Sequence, residues 1–412
     1  MAASPLIAGF AWLPAGPDRA HGSEPVAAPA GIEPAPQVLC GIDVLQRAGF
    51  QPLAGKRVGL ITNQTGVNRA GITTARLLHE AANVQLVALF SPEHGLEGKL
   101  DIARIDDSRD SHTGLTVYSL YGQTRKPTRE MLRGLDTLVF DIQDIGTRFY
   151  TYISTMGHAM EAAAEAGVAF VVLDRPNPIN GVDMAGPILD EGRESFVAFH
   201  SLPIRHGMTA GELAQLFRHE RKWNLELTVI PVEGWRRTDF FDQTGLLWVN
   251  PSPNMRSLTQ ALLYPGIGLL EMTNVSVGRG TDTPFEVIGA PWLDGIALAG
   301  RLRAARLPGV GFVPVRFTPD ASKHEGELCG GVCILITDRG RFQPLTTGLE
   351  IARQLRLLHA DEWEVTPYDR LLVSRGTWEA VRDGLPVADI EARHARGLEL
   401  FAARRAPWLL YR

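Results

Sequence analysis

Between Arg57 and Asp174, short apolar runs alternate with stretches of helical spacing, and this alternation restricts the fold more than any other feature of the chain. The runs RVGLITN (57–63), VQLVALF (84–90), TLVFDIQD (137–144) and VAFVVLD (168–174) have the length of strands and are too continuously apolar to have one wet face. Strands covered on both faces belong to parallel sheets, whose connections need a crossover element, usually a helix. The segments GITTARLLHEAA, PTREMLRGL and YISTMGHAMEAAAEAG supply the crossovers. The expected architecture is therefore α/β, a Rossmann-like doubly wound parallel sheet. A further helix over TAGELAQLFRHER, opened by Thr209, and a strand over LELTVIPV extend it.

After a Pro/Asn-rich turn, NPSPNM (250–255), the pattern changes. A helix over SLTQALLYPG, a Gly-rich segment NVSVGRGTDTPF, strands over FVPVRF and GVCILITD, and helices near 344–359, 376–383 and 387–404 predict a smaller α+β C-terminal domain. A chain of 412 residues exceeds the roughly 250–300 at which single cores stop growing, so two domains are expected, 38–254 and 255–412. Residues 1–37, rich in Ala, Pro and Gly, read as a flexible tether or remnant signal: an apolar stretch runs from Leu6 to Leu13, but no basic residue precedes Arg19.

Composition closes off several function classes. With 41 Lys+Arg against 46 Asp+Glu the chain lacks the basic footprint of a nucleic-acid binder. No apolar run reaches about 18 residues, so no membrane span is expected. Cys40, Cys329 and Cys333 are too few and scattered for a disulfide framework or a Cys-rich zinc site, and read as structural thiols. No metal and no cofactor are expected. TNQTGVNRAG stands where a GxGxxG would follow the first strand, and neither GxxxxGK[ST] nor GxSxG occurs.

In an open parallel sheet, ligands bind beyond the carboxyl ends of the strands. Those ends carry Asn63 and Gln64; Glu93 and His94; Asp141, Gln143, Asp144 and Arg148; and Asp174, Arg175 and Asn177, all expected to face one cleft with Asn250 and Asn254. Asn63 and Asp174 suit helix caps and turns equally well. In SPEHGL, a Pro and a Gly fix a loop around a carboxyl group next to an imidazole, which reads more strongly as functional. Carboxylates, amides, and the aromatic faces of Tyr150, Tyr152, Trp248 and Trp292 suit a polyhydroxylated ligand, and glycoside cleavage needs a carboxyl pair.

The strings GIDVL (41–45), GLITNQTG (59–66), SPEHGL (91–96), FDIQDIGTRFYTYI (140–153), LDRPNPI (173–179), HGMTAGELA (206–214), NPSPNM, EMTNVSVGRGTDTPFEVIGAPW (271–292) and the terminal LLYR resemble the exo-β-N-acetylmuramidases of the NamZ type, from about Cys40 to Arg412. The resemblance implies a glycoside hydrolase that removes N-acetylmuramic acid from the non-reducing ends of peptidoglycan fragments by cutting the β-1,4 bond to N-acetylglucosamine. It also implies a cleft between two domains and a periplasmic or extracellular setting. Glu93 is the expected general acid, its loop raising its pKa toward neutrality. Glu271, Asp141 and Asp144 are candidates for the second carboxylate, with the substrate's 2-acetamido group as an alternative. His94 and Arg148 are expected to bind the sugar, and Arg279 the lactyl carboxylate. A non-catalytic muropeptide- or sugar-binding protein is the competing reading, since two domains around a polar cleft describe such receptors too.

Overall fold

The computed structural model describes residues 37–412. The expected tether and signal remnant lie outside the described residues.

The first part of the chain carries β1 (Arg57–Thr62), β2 (Gln85–Ser91), β3 (Ser108–Arg109), β4 (Thr116–Ser119), β5 (Thr137–Asp141), β6 (Ala169–Leu173), β7 (Ala185–Ile188), β8 (Pro203–Arg205) and β9 (Leu227–Ile230). Seven of these form one sheet in the order β3-β4-β2-β1-β5-β6-β9, parallel throughout except for β3 at one edge. Leaving out β3, the parallel strands stand in chain order 3-2-1-4-5-6, the Rossmann arrangement. β7 and β8 make a separate antiparallel pair.

Side-chain alternation along each strand divides the core into two layers. Val58, Leu60, Leu86, Leu89, Val139, Val171 and Leu173 pack with Ile42 and Leu45 of α1 (Gly41–Arg47) and Leu77 and Leu78 of α2 (Thr74–Glu80). Their neighbours Ile61, Ala88, Phe90, Leu138, Phe140, Phe170 and Val172 pack on the other face with α3 (Tyr152–Ala166) and α4 (Ala210–Glu220). Thr209 caps α4 as expected: its hydroxyl accepts from Glu212 N, while the Glu212 carboxylate accepts from Thr209 N. The helix expected over PTREMLRGL is instead a set of turns. Gly134, in the left-handed region at φ +75°, ends the segment after little more than the Leu132 N to Thr128 O bond, and the sheet edge is built by β3 and β4.

The later part contains a three-stranded antiparallel sheet, β10 (Val287–Ala290), β12 (Cys329–Ile336) and β11 (Val310–Phe317) in that order. Around it lie α5 (Leu258–Ile267), α6 (Gly295–Ala304), α7 (Pro344–Leu358), α8 (Asp369–Leu372), α9 (Arg375–Arg382) and α10 (Val387–Arg405). Across the expected division at Asn254 one buried cluster runs from Ile61 and Phe140, through Leu263 of α5 and Leu349 of α7, to Phe401 of α10, with apolar side chains contributed by both halves. Cys40, Cys329 and Cys333 are free thiols, the first two buried. Among the described residues no helix is long and apolar enough to cross a membrane.

At the switch point of the sheet, between the carboxyl ends of β1 and β5, sits a buried ion pair. Arg175 Nε and Nη2 donate to Asp141 Oδ1 and Oδ2 at 2.6 and 2.9 Å, and Nη2 also donates to Val67 O at 2.9 Å. The Thr74 hydroxyl, at the start of α2, donates to the same carboxylate. The loop passes so close that a Cβ on Gly66 would lie 2.0 Å from Thr62 Oγ1. Removing one partner of such a pair strands a buried charge. Arg175→Met should therefore lower unfolding free energy by about 3–5 kcal/mol in a denaturant titration, and Asp141→Leu in the same chain should restore part of it. A loss under about 1 kcal/mol, the range of exposed pairs, would contradict this.

Candidate active site

Of the four strand ends, only the one after β2 lines a cleft of about 380 Å³ that also takes in Asn254, Glu271 and Arg279. After β2 the chain turns through Pro92-Glu93-His94, with His94 in the left-handed region at φ +71° and Gly95 at φ +76°. The His94 ring fixes the loop by donating from Nδ1 to Leu100 O at 2.7 Å, and Leu100 N returns a bond to His94 O. A left-handed non-glycine residue beside a cleft is a form of stored strain that marks functional loops. Glu93 thereby faces the first turn of α3, where the Thr151 hydroxyl donates to Glu93 Oε2 at 2.5 Å. Tyr121, at the end of β4, approaches from the other side, and burial together with the adjacent Glu93 carboxylate pushes its hydroxyl up to about 12. Tyr121 therefore keeps its proton at neutral pH.

The far wall comes from the later part of the chain. Arg279 is presented by two glycines in the left-handed region, Gly278 (φ +79°) and Gly280 (φ +77°). A Cβ on Gly280 would meet the backbone of Ala321 at 2.4 Å, so no other residue permits this approach. Arg279 donates to Glu271 and, at 2.5 Å, to Asp101 Oδ2, which also accepts from Asn254 Nδ2 at 3.1 Å. Burial works against the Asp101 carboxylate, but the Arg279 charge and hydrogen bond outweigh it and hold its pKa below the ordinary range. Between the walls lies an aromatic lining: Tyr150 meets Tyr152 edge-on at 4.9 Å and Tyr264 at 5.7 Å, and Phe285 closes on Tyr264 at 4.8 Å.

Of the residues expected to work here, Glu93, His94, Asn254, Glu271 and Arg279 are brought together in the cavity wall. The others are not, because they satisfy buried polar groups at the strand ends. Asp141 and Arg175 are consumed by each other. Asn63 Oδ1 accepts from the backbone and hydroxyl of Thr65 and so closes a turn, while the cap of the next helix is Thr73, whose hydroxyl accepts from Arg76 N. Gln64 donates to the carbonyls of Asn250 and Pro251, so it pins the NPSPNM turn, while Asn250 itself is exposed outside the cavity. Gln143 donates to the carbonyls of Asp144 and Pro176, and Asn177 to that of Met208. Asp174 accepts from Thr209, Gly211 and the Tyr411 hydroxyl, which explains the terminal LLYR motif as a clasp. Arg148 is fully buried and donates to the carbonyls of Pro187, Leu202, Leu371 and Leu372. Trp248 packs on Phe241 and Trp292 on His359. Tyr121, Thr151, Asp101 and Arg125 line the cavity without having been singled out. Tyr121 follows a strand end, the signal that identified Glu93, but β4 is only four residues long and half-polar.

Two family models cover almost all of the described chain: "Exo-beta-N-acetylmuramidase NamZ, N-terminal" over residues 58–259 and its C-terminal counterpart over 262–411. The chain belongs to the NamZ family. It is 44% identical over 380 residues to the peptidoglycan β-N-acetylmuramidase NamZ of Bacillus subtilis (strain 168), covering 91% of this chain and 92% of that one. Two crystal structures of DUF1343 family proteins from Bacteroides fragilis NCTC 9343 share the fold. One has a TM-score of 0.86 at 39% identity, covering 92% of this chain and 100% of that chain. The other has a TM-score of 0.75 at 32% identity, covering 91% and 99%. The fold expectation and the family resemblance both hold.

Within this NamZ-family fold, Asp144 has a structural rather than a cleft-lining position. Its Oδ2 accepts from Gly146 N at 2.7 Å, its Oδ1 is buried without a partner, and His206 Nε2 stands 3.9 Å away. Burial pushes Asp144 up to about 7, against the backbone N–H groups of Gly146 and Ile145, and burial also pushes His206 down to about 3. A carboxyl group whose folded pKa exceeds its unfolded value favours the fold below the unfolded pKa, and that contribution is lost as pH rises through the folded value. His206 acts in the opposite sense, since its neutral burial favours the fold above the unfolded histidine pKa and is lost as pH falls toward its folded value. The Asp144 contribution is therefore read as a difference between proteins: unfolding free energy of wild type relative to Asp144→Asn should fall between pH 4 and pH 8 by an amount on the order of a few kcal/mol. An identical pH slope in wild type and variant would remove this role.

Proposed function

We propose that this chain is an exo-acting glycoside hydrolase that releases N-acetylmuramic acid from the non-reducing ends of peptidoglycan fragments by cleaving the β-1,4 bond to N-acetylglucosamine, with Glu93 as the general acid. The observation that carries the assignment concerns charge. Three carboxylates line the cavity, Glu93, Asp101 and Glu271, and Arg279 is paired with the latter two. Glu93 alone is held by a hydroxyl, that of Thr151, with Tyr121 standing beside it. Neutral donors orient a carboxyl group without pinning it as an anion, which is what a group that must give up and regain a proton requires. A cavity of about 380 Å³ lies near the lower end of ligand sites, roughly 300–1,000 Å³, and suits a terminal sugar rather than a length of polymer.

In this reading Glu93 delivers its proton to the leaving glycosidic oxygen, and Thr151 holds the carboxyl in line with it. The aromatic lining offers stacking faces to the sugar ring. The second role falls to Glu271, oriented by Arg279, or to the substrate's 2-acetamido group. An extracytoplasmic setting belongs to the same proposal, since the polymer lies outside the membrane.

Incubation with the disaccharide of N-acetylmuramic acid linked to N-acetylglucosamine should release both monosaccharides, read by mass spectrometry. Binding without release would instead favour a muropeptide-binding protein. Glu93→Gln should lower turnover of a chromogenic muramide by about 10² or more with the fold intact; turnover close to wild type would remove Glu93 from the role. Glu271→Gln separates the two second groups. A loss of about 10² assigns the step to the carboxylate, and a loss under about tenfold leaves it to the acetamido group.

A further inference from the structure

Resting on that reading, we infer that Arg125, rather than Arg279, is the residue that recognises the carboxylate of the sugar's lactyl group and so distinguishes a muramic acid from a glucosamine. Two arginines line the cavity. Arg279 sits between two carboxylates, Asp101 and Glu271, and with Lys323 against the Glu271 carbonyl the cluster is already balanced. A third carboxylate approaching it has to compete for donors already engaged. Arg125 has no carboxylate and no hydrogen-bond partner among the described residues. Its guanidinium lies over the Phe196 ring at 4.1 Å and the Tyr121 ring at 5.5 Å.

This placement is suited to anion recognition. Stacking engages the face of a guanidinium and leaves its in-plane N–H donors free for the two oxygens of a carboxylate. The loop that carries Arg125 is fixed on both sides: the Thr124 hydroxyl donates to Lys126 O and accepts from Lys126 N, and Lys126 Nζ is held by Glu161 and Glu165 of α3 at 3.1 and 2.7 Å. Tyr121 lines the cavity with Glu93 and Arg125, its ring below the Arg125 guanidinium and its hydroxyl within the influence of the Glu93 carboxylate, so the anion site and the proton donor flank the same side chain. The lactyl group on C3 of a sugar whose C1 lies at Glu93 is within reach of such a neighbour.

The test measures binding by calorimetry and turnover separately, with free N-acetylmuramic acid and N-acetylglucosamine as binding probes and a chromogenic muramide and its lactyl methyl ester as substrates. In Arg125→Gln, affinity for N-acetylmuramic acid should weaken on the order of tenfold to a hundredfold, toward that for N-acetylglucosamine. The acid-to-ester ratio of kcat/KM should collapse through KM, and Arg125→Lys should restore part of the ratio. A preference for the acid that is unchanged in Arg125→Gln and abolished in Arg279→Ala would overturn the inference and give the contact to Arg279. Selective binding of N-acetylmuramic acid that depends on Arg125, in a chain that cleaves neither substrate, would support this site while overturning the hydrolase reading.

Discussion

The buried pair of Asp141 and Arg175 decides where this molecule can bind anything. In a sheet of this strand order the crevice between the first and fourth parallel strands is the usual ligand site, and here it is filled by the chain's own charges. Asp141 is fully buried and Arg175 6% exposed, yet both carboxylate oxygens and the Arg175 Nε and Nη2 have partners, among them Thr74 and the Val67 carbonyl. A pair of this kind is tolerated because its remaining hydrogen bonds are met. Its effect is to tie the ends of β1, β5 and β6 to the start of α2. With that crevice closed, the open side of the sheet is the one beyond β2 and β4, where the loops carrying Glu93, Tyr121 and Arg125 stand free.

This relocation explains how much of the molecule was legible in the sequence. Apolar strands buried on both faces, and α3, α4, α5 and α7 to α10 apart from the single turn of α8, follow from periodicity, because the burial of apolar surface is the main force that places them. The strand-end rule leads to one loop, SPEHGL, whose Glu93 and His94 line the cavity. It failed for Asp141, Gln143, Asp174, Arg175 and Asn177 because an amide or carboxylate at a strand end is equally suited to a ligand and to a neighbouring backbone group. Which of the two it meets depends on loops distant in sequence. Asp174 is the clearest case: its partner Tyr411 lies 237 positions away, and no local pattern announces the contact. Tyr121 and Asp101 were missed for a related reason, since β3 and β4 are too short and too polar to register as strands.

The cavity also shows why three carboxylates in one site need not be equivalent. Asp101 and Glu271 share the Arg279 guanidinium, and Lys323 reaches the Glu271 carbonyl, so both acids are matched by cations. Glu93 is given the Thr151 hydroxyl instead. Separating the acids by the kind of donor that holds them is a way to give chemically identical side chains different roles within one pocket.

Such a division works only if the two walls keep their distance, and Arg148 is one of the residues that hold them, beside the shared apolar core and the Tyr411 clasp. It leaves the loop after β5 and inserts a fully buried guanidinium among four carbonyls, two of which, Leu371 and Leu372, belong to α8 in the later half. No carboxylate meets it directly, and burial pulls its pKa down to about 9, so the charge survives at neutral pH on the strength of carbonyl dipoles. An apolar contact at the same place would allow sliding, whereas a planar donor set with four fixed acceptors sets both distance and rotation. Leu371 itself lines the cavity, so the bolt that joins the halves ends at the surface where the sugar would sit. The residue expected from sequence to touch the substrate acts one layer behind it, fixing the geometry in which Glu93 and Glu271 face each other.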